Sequence, residues 1–165
     1  MSEKNFYIID SSSLIALNRL YPIDIFPTLW NNAHGLIDKG MLISHKEVYK
    51  EICAGDDALK KWASQQKNFF KDIDEHQIKI VKDILKKYPS LAKSDSEEIN
   101  ADPFLIALAI TLNNGAQKQL FTKSKLIVTE ERIRGERVRI PLVCQEYKLE
   151  CINILEMCRE EEWKF

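Results

Sequence analysis

Four acids stand where a catalytic chemistry is expected: Asp10, Glu51, Asp102 and Glu131. Asp10 follows a short apolar run, Phe6-Tyr7-Ile8-Ile9, and Glu131 follows a second, Leu126-Ile127-Val128. Two like charges about 4 Å apart repel by roughly 4 kcal/mol at an effective dielectric of 20. If the four acids converge, protons or cations must neutralise them. Carboxylates with hydroxyl and water neighbours are hard oxygen donors, suited to Mg²⁺ or Mn²⁺. Such a cluster performs metal-assisted phosphodiester hydrolysis, in which the ion activates water and offsets the charge developing on the phosphate. No histidine or cysteine is spaced to pair a nucleophile with a base, so covalent catalysis fits less well.

The surrounding pattern supplies elements able to bring these acids together. Phe6–Ile9 is continuous, aromatic and β-branched, which predicts a buried strand of a parallel sheet. Asp10-Ser11-Ser12-Ser13 reads as a strand-to-helix turn. Met41–Ile43, Leu126–Val128 and Cys151–Ile154 read as three further strands. Helices are expected around Phe26–Ile37, ended by Gly40, then after Ser44, over Asp57–Gln66, over Ile73–Tyr88 and from Asp102 onward. Ser44-x-x-Glu47 has the form of a capping box, and Asp102-Pro103 that of a cap followed by proline at the first helical position. Strands alternating with longer helices predict an α/β fold, a three-layer α/β/α sandwich on a short, mostly parallel central sheet. In such sheets the ligand crevice lies beyond the carboxyl ends of the strands, where Asp10 and Glu131 fall.

Composition narrows the alternatives. The 165 residues suit one domain, 1–165. Apolar residues make up 45% and charged residues 30%, which excludes a disordered, collagen-like or membrane-spanning chain. Basic and acidic residues balance, 24 against 25, so contact with nucleic acid has to come from a local patch or through a metal. Cys53, Cys144, Cys151 and Cys158 form no C-x-x-C pair, and the opening residues look unlike a signal peptide. A cytoplasmic protein with reduced thiols is expected.

Four segments, in order, resemble the motifs of the PIN-domain family. Ile9-Asp10-Ser11-Ser12-Ser13-Leu14-Ile15 is similar to its opening motif and Val48-Tyr49-Lys50-Glu51-Ile52 to its second. Ala101-Asp102-Pro103-Phe104-Leu105-Ile106-Ala107-Leu108-Ala109 is similar to the third, and Val128-Thr129-Glu130-Glu131 to the fourth. The pattern resembles most the VapC-like toxin branch and its small prokaryotic relatives. The resemblance implies a Mg²⁺- or Mn²⁺-dependent endoribonuclease, a homodimer, held inactive by a cognate antitoxin. It implies that Asp10 and Asp102 are metal ligands, that Glu51 completes the site or orients water, and that Glu131 binds metal directly or through water. Ser12 would take the polar position after the first acid, and Thr129 would steady the cluster by a hydrogen bond. Two departures stand out: the fourth acid is Glu where the family commonly has Asp, and Asn113–Lys125 is longer than the usual connection.

Local explanations compete with these roles. Asp10 and Asp102 can each cap a helix, although the three serines after Asp10 could do so in its place. Glu51 sits at the border of a buried stripe, where an unpaired acid is costly. Strand alternation would send Glu130 and Glu131 to opposite faces, and the Thr-x-acid spacing selects Glu131. Lys118, Lys123, Lys125, Arg132, Arg134, Arg137 and Arg139 form a basic stretch, of which Lys125, Arg132 and Arg134 are the candidates for phosphate contact. Trp30, Trp62, Trp163, Phe69 and Phe70 read as packing residues, and His34, His45 and His76 as structural or surface. The second functional reading is a PIN-like module that binds a protein partner with weak or no catalysis. A phosphatase of the haloacid dehalogenase type fits less well, because it needs Asp-x-Asp and position 12 is Ser.

Overall fold

The first strand of the chain is the middle strand of the sheet. The computed structural model describes residues 4–66, 68–92, 100–114, 122–133 and 138–165. The chain order is β1 (Lys4–Ile9), α1 (Ser11–Leu20), α2 (Pro27–Asp38), β2 (Leu42–His45), α3 (Lys46–Cys53), α4 (Asp57–Ser64) and β3 (Phe70–Lys71). It continues with α5 (Glu75–Lys87), a 3-10 turn (Pro89–Leu91), α6 (Asp102–Asn114), β4 (Thr122–Val128), α7 (Ile140–Glu146), β5 (Glu150–Ile152) and α8 (Ile154–Glu160). The strands lie in the order β3-β2-β1-β4-β5, and every neighbouring pair is parallel. Helices flank the sheet in a three-layer α/β/α sandwich. Among the described residues no helix is long and apolar enough to cross a membrane.

Burial explains the continuous apolar runs. Tyr7, Ile8 and Ile9 of β1 are at most 1% exposed, as are Ile127 and Val128 of β4. Each large apolar side chain removed from water contributes roughly 1.5–3 kcal/mol. Helix α6 is apolar almost all round: Leu105, Ile106, Ala107, Leu108 and Ala109 are all buried, which suits a helix covered on several sides. The aromatic residues read as packing behave so. Trp30 meets Trp62 edge-on, Trp62 meets Phe69, and Phe69 meets Phe70.

The topology also selects the crevice. From β1 the chain proceeds outward to β2, whereas from β4 it proceeds the opposite way to β5. The switch between these directions falls between β1 and β4, where open parallel sheets bind ligands beyond the strand ends. Ile9 stands opposite Val128 in that pair, and the Asp10 amide extends the ladder by donating to the Val128 carbonyl (2.9 Å).

Several local expectations need correction. A fifth strand, β3, is present; two residues are too few to show a period, and Phe69 and Phe70 read as core alone. Ser44 does not cap α3. It lies inside β2, and its hydroxyl donates to the Ile9 carbonyl (2.6 Å). His45 is the cap, with Nδ1 accepting the Glu47 amide (3.1 Å). Burial holds the His45 imidazole below its ordinary pKa, which keeps that nitrogen able to accept. The start of α6 is one residue earlier than Asp-Pro suggests. The Ala101 carbonyl accepts from Leu105 (3.0 Å), and Asp102 is the first helical residue.

Three helices end in the same backbone reversal. Gly40 after α2, Lys148 after α7 and Glu162 after α8 have φ of 68°, 56° and 56°. At each, the next amide reaches back to the helix: Met41 to Leu36 (2.9 Å), Leu149 to Cys144 (2.8 Å) and Trp163 to Cys158 (2.9 Å). This is the Schellman pattern, whose left-handed position favours glycine, and only the first of the three has one.

Candidate metal centre

Asp10 leaves the end of β1 and is 1% exposed. It does cap α1: its carbonyl accepts from Leu14 (3.2 Å), and Oδ1 accepts the Ser11 amide (2.7 Å). Capping takes one oxygen. The other, Oδ2, receives the hydroxyls of Ser12 (2.7 Å) and Thr129 (3.1 Å). Each hydroxyl has one proton to give. With both aimed at Oδ2, the 3.2 Å approach of Ser12 to Thr129 is a contact imposed by their shared acceptor.

Thr129 follows the last residue of β4 and carries a second duty. Its Oγ1 accepts the Glu131 amide (3.2 Å), which closes a small side-chain turn. The separation of Glu130 from Glu131 therefore arises in a turn and not from strand alternation, because β4 ends at Val128. Glu130 is exposed and turns away: its carboxylate accepts the Ile154 amide at the start of α8 (2.9 Å). Glu131 turns inward, and its Oε2 accepts the Ile140 amide at the start of α7 (3.1 Å).

Asp102, 6% exposed, meets them from the first turn of α6. Among the described residues its carboxylate has one hydrogen-bond donor, the Asn100 side chain at 3.4 Å. One oxygen from each of Asp10, Asp102 and Glu131 lies within 4.8 Å of the others. Burial pushes the Asp10 carboxyl up to about 6, against the hydroxyl of Ser12 and with help from the charges of Glu131 and Glu51. Burial pushes Asp102 further, to about 9, aided by the charges of Asp10, Glu131 and Glu51, while nearby Arg139 pulls the other way.

Glu51, on α3, stands beside this trio and is not part of it. One of its oxygens accepts the Ser11 hydroxyl (2.6 Å) and the other the Ala101 amide (3.0 Å). It joins the first turns of α1 and α6, the two elements that present Asp10 and Asp102. Its charge still reaches both acids.

The basic residues divide. Arg132 is exposed on the rim of a groove of about 430 Å³, lined also by Thr129, Glu131, Asn153 and Glu156. Lys125 is a correction. Its ammonium donates to the Leu112 carbonyl near the end of α6, ten residues and about 15 Å along the helix from Asp102. Arg134, Lys118 and Arg137 lie outside the described residues, as does the side chain of Lys123. Ser11 and Asn100 have no assigned role in the sequence reading, where their only signal is adjacency to Asp10 and to the Ala101-Asp102 motif, and Arg139 stands there only as a member of the basic stretch.

The donor set fits a small hard cation. Three carboxylates converge, and a cation would offset both the burial and the mutual repulsion that push the Asp10 and Asp102 carboxyls up. No curated protein matches the chain. A family model, described as a domain of unknown function (DUF4411), matches residues 7–165, and the chain belongs to that family.

Proposed function

We propose that the chain is a Mg²⁺- or Mn²⁺-dependent endoribonuclease of the PIN type, similar to VapC-like toxins. The single observation that carries this reading is the meeting of Asp10, Asp102 and Glu131 at the switch point of a parallel sheet. A bound divalent ion would supply Lewis acidity and a water activated for attack on a phosphodiester. The chain's own residues set the stage. Asp10, Asp102 and Glu131 hold the ion. Ser12 and Thr129 fix the direction of Asp10 Oδ2, so that oxygen needs no reorganisation when a ligand arrives. Glu51 keeps the first turns of α1 and α6 together. Arg132, on the groove beside Glu131, offers a planar donor to RNA phosphate. A homodimer and a neutralising antitoxin belong to the same proposal.

The test is incubation of single-stranded and structured RNA with Mn²⁺, with and without chelator. Cleavage is expected with the ion. Asp10→Asn or Asp102→Asn should lower it at least about 100-fold, as expected when a metal ligand is lost. Cleavage that survives chelator overturns the metal role. An inert protein that still captures a protein partner favours the interaction module.

A further inference from the structure

The groove that Glu131 shares has walls from three places. They are the turn after β4 (residues 129–133), the start of α7 at Pro141, and the junction of β5 with α8 at Ile152 and Asn153. The Thr129 amide donates to the Ile152 carbonyl (2.9 Å), which holds the first wall beside the third. The volume, about 430 Å³, lies within the range of small-ligand pockets, about 300–1,000 Å³. We propose that this groove receives one unpaired RNA base beside the bond to be cut, and that its hydrogen-bonding groups select guanine. The position of the bond rests on the ribonuclease reading above; the choice of base rests on the groove.

Charge narrows the occupant first. Three carboxylates, of Glu130, Glu131 and Glu156, stand against the guanidinium of Arg132, which disfavours a phosphate inside. A bare cation fits no better, because two of these acids are already tied to backbone at the start of α8. Glu130 accepts the Ile154 amide (2.9 Å), and Glu156 accepts the Asn153 amide (2.8 Å). What remains is a neutral group with apolar faces and a polar edge. Ile133, Pro141 and Ile152 supply apolar wall. Ile133 is 47% exposed, so covering it removes apolar surface from water. An unstacked base has that form, and proteins that read RNA sequence bind unpaired bases in this way.

The unspent polar groups then choose among bases. Asn153 Oδ1 accepts the Glu156 amide (2.9 Å), which fixes the carboxamide and leaves its NH₂ without a partner among the described residues. Glu130 and Glu156 each keep one carboxylate oxygen unspent among the described residues. The lining therefore offers one donor group and two anionic acceptors. Guanine carries the complement on its Watson–Crick edge, where O6 accepts while N1–H and N2–H₂ donate. Adenine, cytosine and uracil each have a single donor group on that edge, so each would leave one carboxylate unmatched. A site whose polar groups are left unpaired by the wrong ligand discriminates strongly. Arg132, on the rim, stays available for phosphate.

The experiment titrates the full chain, in chelator, with the four nucleoside 5′-monophosphates and follows amide shifts by NMR. GMP is expected to shift the Asn153 side-chain amide and the Ile133 and Ile152 backbone amides, with AMP, CMP and UMP at least about fivefold weaker. Asn153→Asp keeps the cap oxygen and removes the donor. Glu156→Gln keeps an oxygen for the Asn153 amide and removes the charge, so both variants retain the start of α8. Each should abolish the preference for GMP, read on Ile152. With Mn²⁺ added, a random-sequence RNA pool should be cut beside guanine, and that excess should fall at least about fivefold in Asn153→Asp. Equal shifts by all four nucleotides, or shifts confined to residues outside the groove, overturn the proposal. A groove that answers to tri-arginine and to no nucleotide is a protein-binding site and overturns it as well. Cuts without guanine bias, in a protein that binds GMP in the groove, overturn the placement beside the bond. A protein that cuts no RNA sinks the ribonuclease reading, and the base site then stands or falls by the titration.

Discussion

Two groups of neighbouring acids in the molecule are built in opposite ways. Glu160 and Glu161, at the end of α8, each reach a neutral donor on β1. Glu161 accepts the Tyr7 hydroxyl (2.6 Å), and Glu160 accepts the Asn5 side-chain amide (3.1 Å). Their charges face separate partners at the edge of solvent, and they dock α8 on the sheet. Asp10, Asp102 and Glu131 face one another instead, and two of them are buried. The first group is a finished set of hydrogen bonds. The second is short of positive charge, and a proton on Asp102, joined by one on Asp10 below about pH 6, fills the gap. A carboxylate pair with its own donors builds structure, whereas one aimed at a shared point is built for a cation.

The largest expected effect exposes that shortage. The folded protein holds protons on Asp10 up to about pH 6 and on Asp102 up to about pH 9, while the unfolded chain releases both near 3.8. Between those values the unfolded state binds fewer protons. Stability is then fully present below pH 4 and falls as pH rises through 6 and on to 9. The loss is on the order of 3 kcal/mol for Asp10 and more for Asp102, which means a drop in Tm of roughly 10 °C or more in metal-free buffer. Saturating Mg²⁺ or Mn²⁺ should abolish the drop. Calorimetric scans at pH 5, 7 and 9 would check this, and a flat profile without metal would remove the basis of the contrast.

A middle-sized effect belongs to the other group. Tyr7→Phe removes a hydrogen bond to a charged acceptor, worth about 1.5–3 kcal/mol. Urea unfolding should record that loss, while Mn²⁺ affinity stays within about twofold, as expected for a site that does not couple. A large change in affinity would show that the two acid groups communicate.

The smallest concerns neither group and calibrates both. Lys148 holds a left-handed φ of 56° without being glycine. Lys148→Gly should raise stability by up to about 1 kcal/mol, as relief of strain is partly offset by a more mobile unfolded chain. Urea unfolding again gives the measure, and destabilisation would contradict the strain.

Much of this was legible in the residues, for a physical reason. β1, β4 and α6 are buried on several sides, so their runs are continuous and hard to misread. Asp10 and Glu131 follow those strands directly, and Asp102 begins that helix. What escaped was decided by contacts at a distance. Ser44 had the form of a cap, but strand pairing claimed its residue and Ile9 its hydroxyl. Glu51 stood out as a costly acid at a buried border, yet its partners, Ser11 and Ala101, lie 40 and 50 residues away. Lys125 shared a basic stretch with Arg132, but a strand separates them, and its ammonium serves the far end of α6. Spacing along the chain records which face a residue takes, not which end of the sheet it reaches.

The position of β1 has a bearing on how the chain is made. This strand leaves the ribosome before the two strands it pairs with, and its β4 neighbour follows more than a hundred residues later. At synthesis rates of about 5–20 residues per second, one flank of the central strand waits roughly 6–20 s for its partner. During that interval the nascent protein carries an open strand edge, a known hazard for mispairing. It also lacks Glu131, so the acid trio stays incomplete until the residues after β4 have been made.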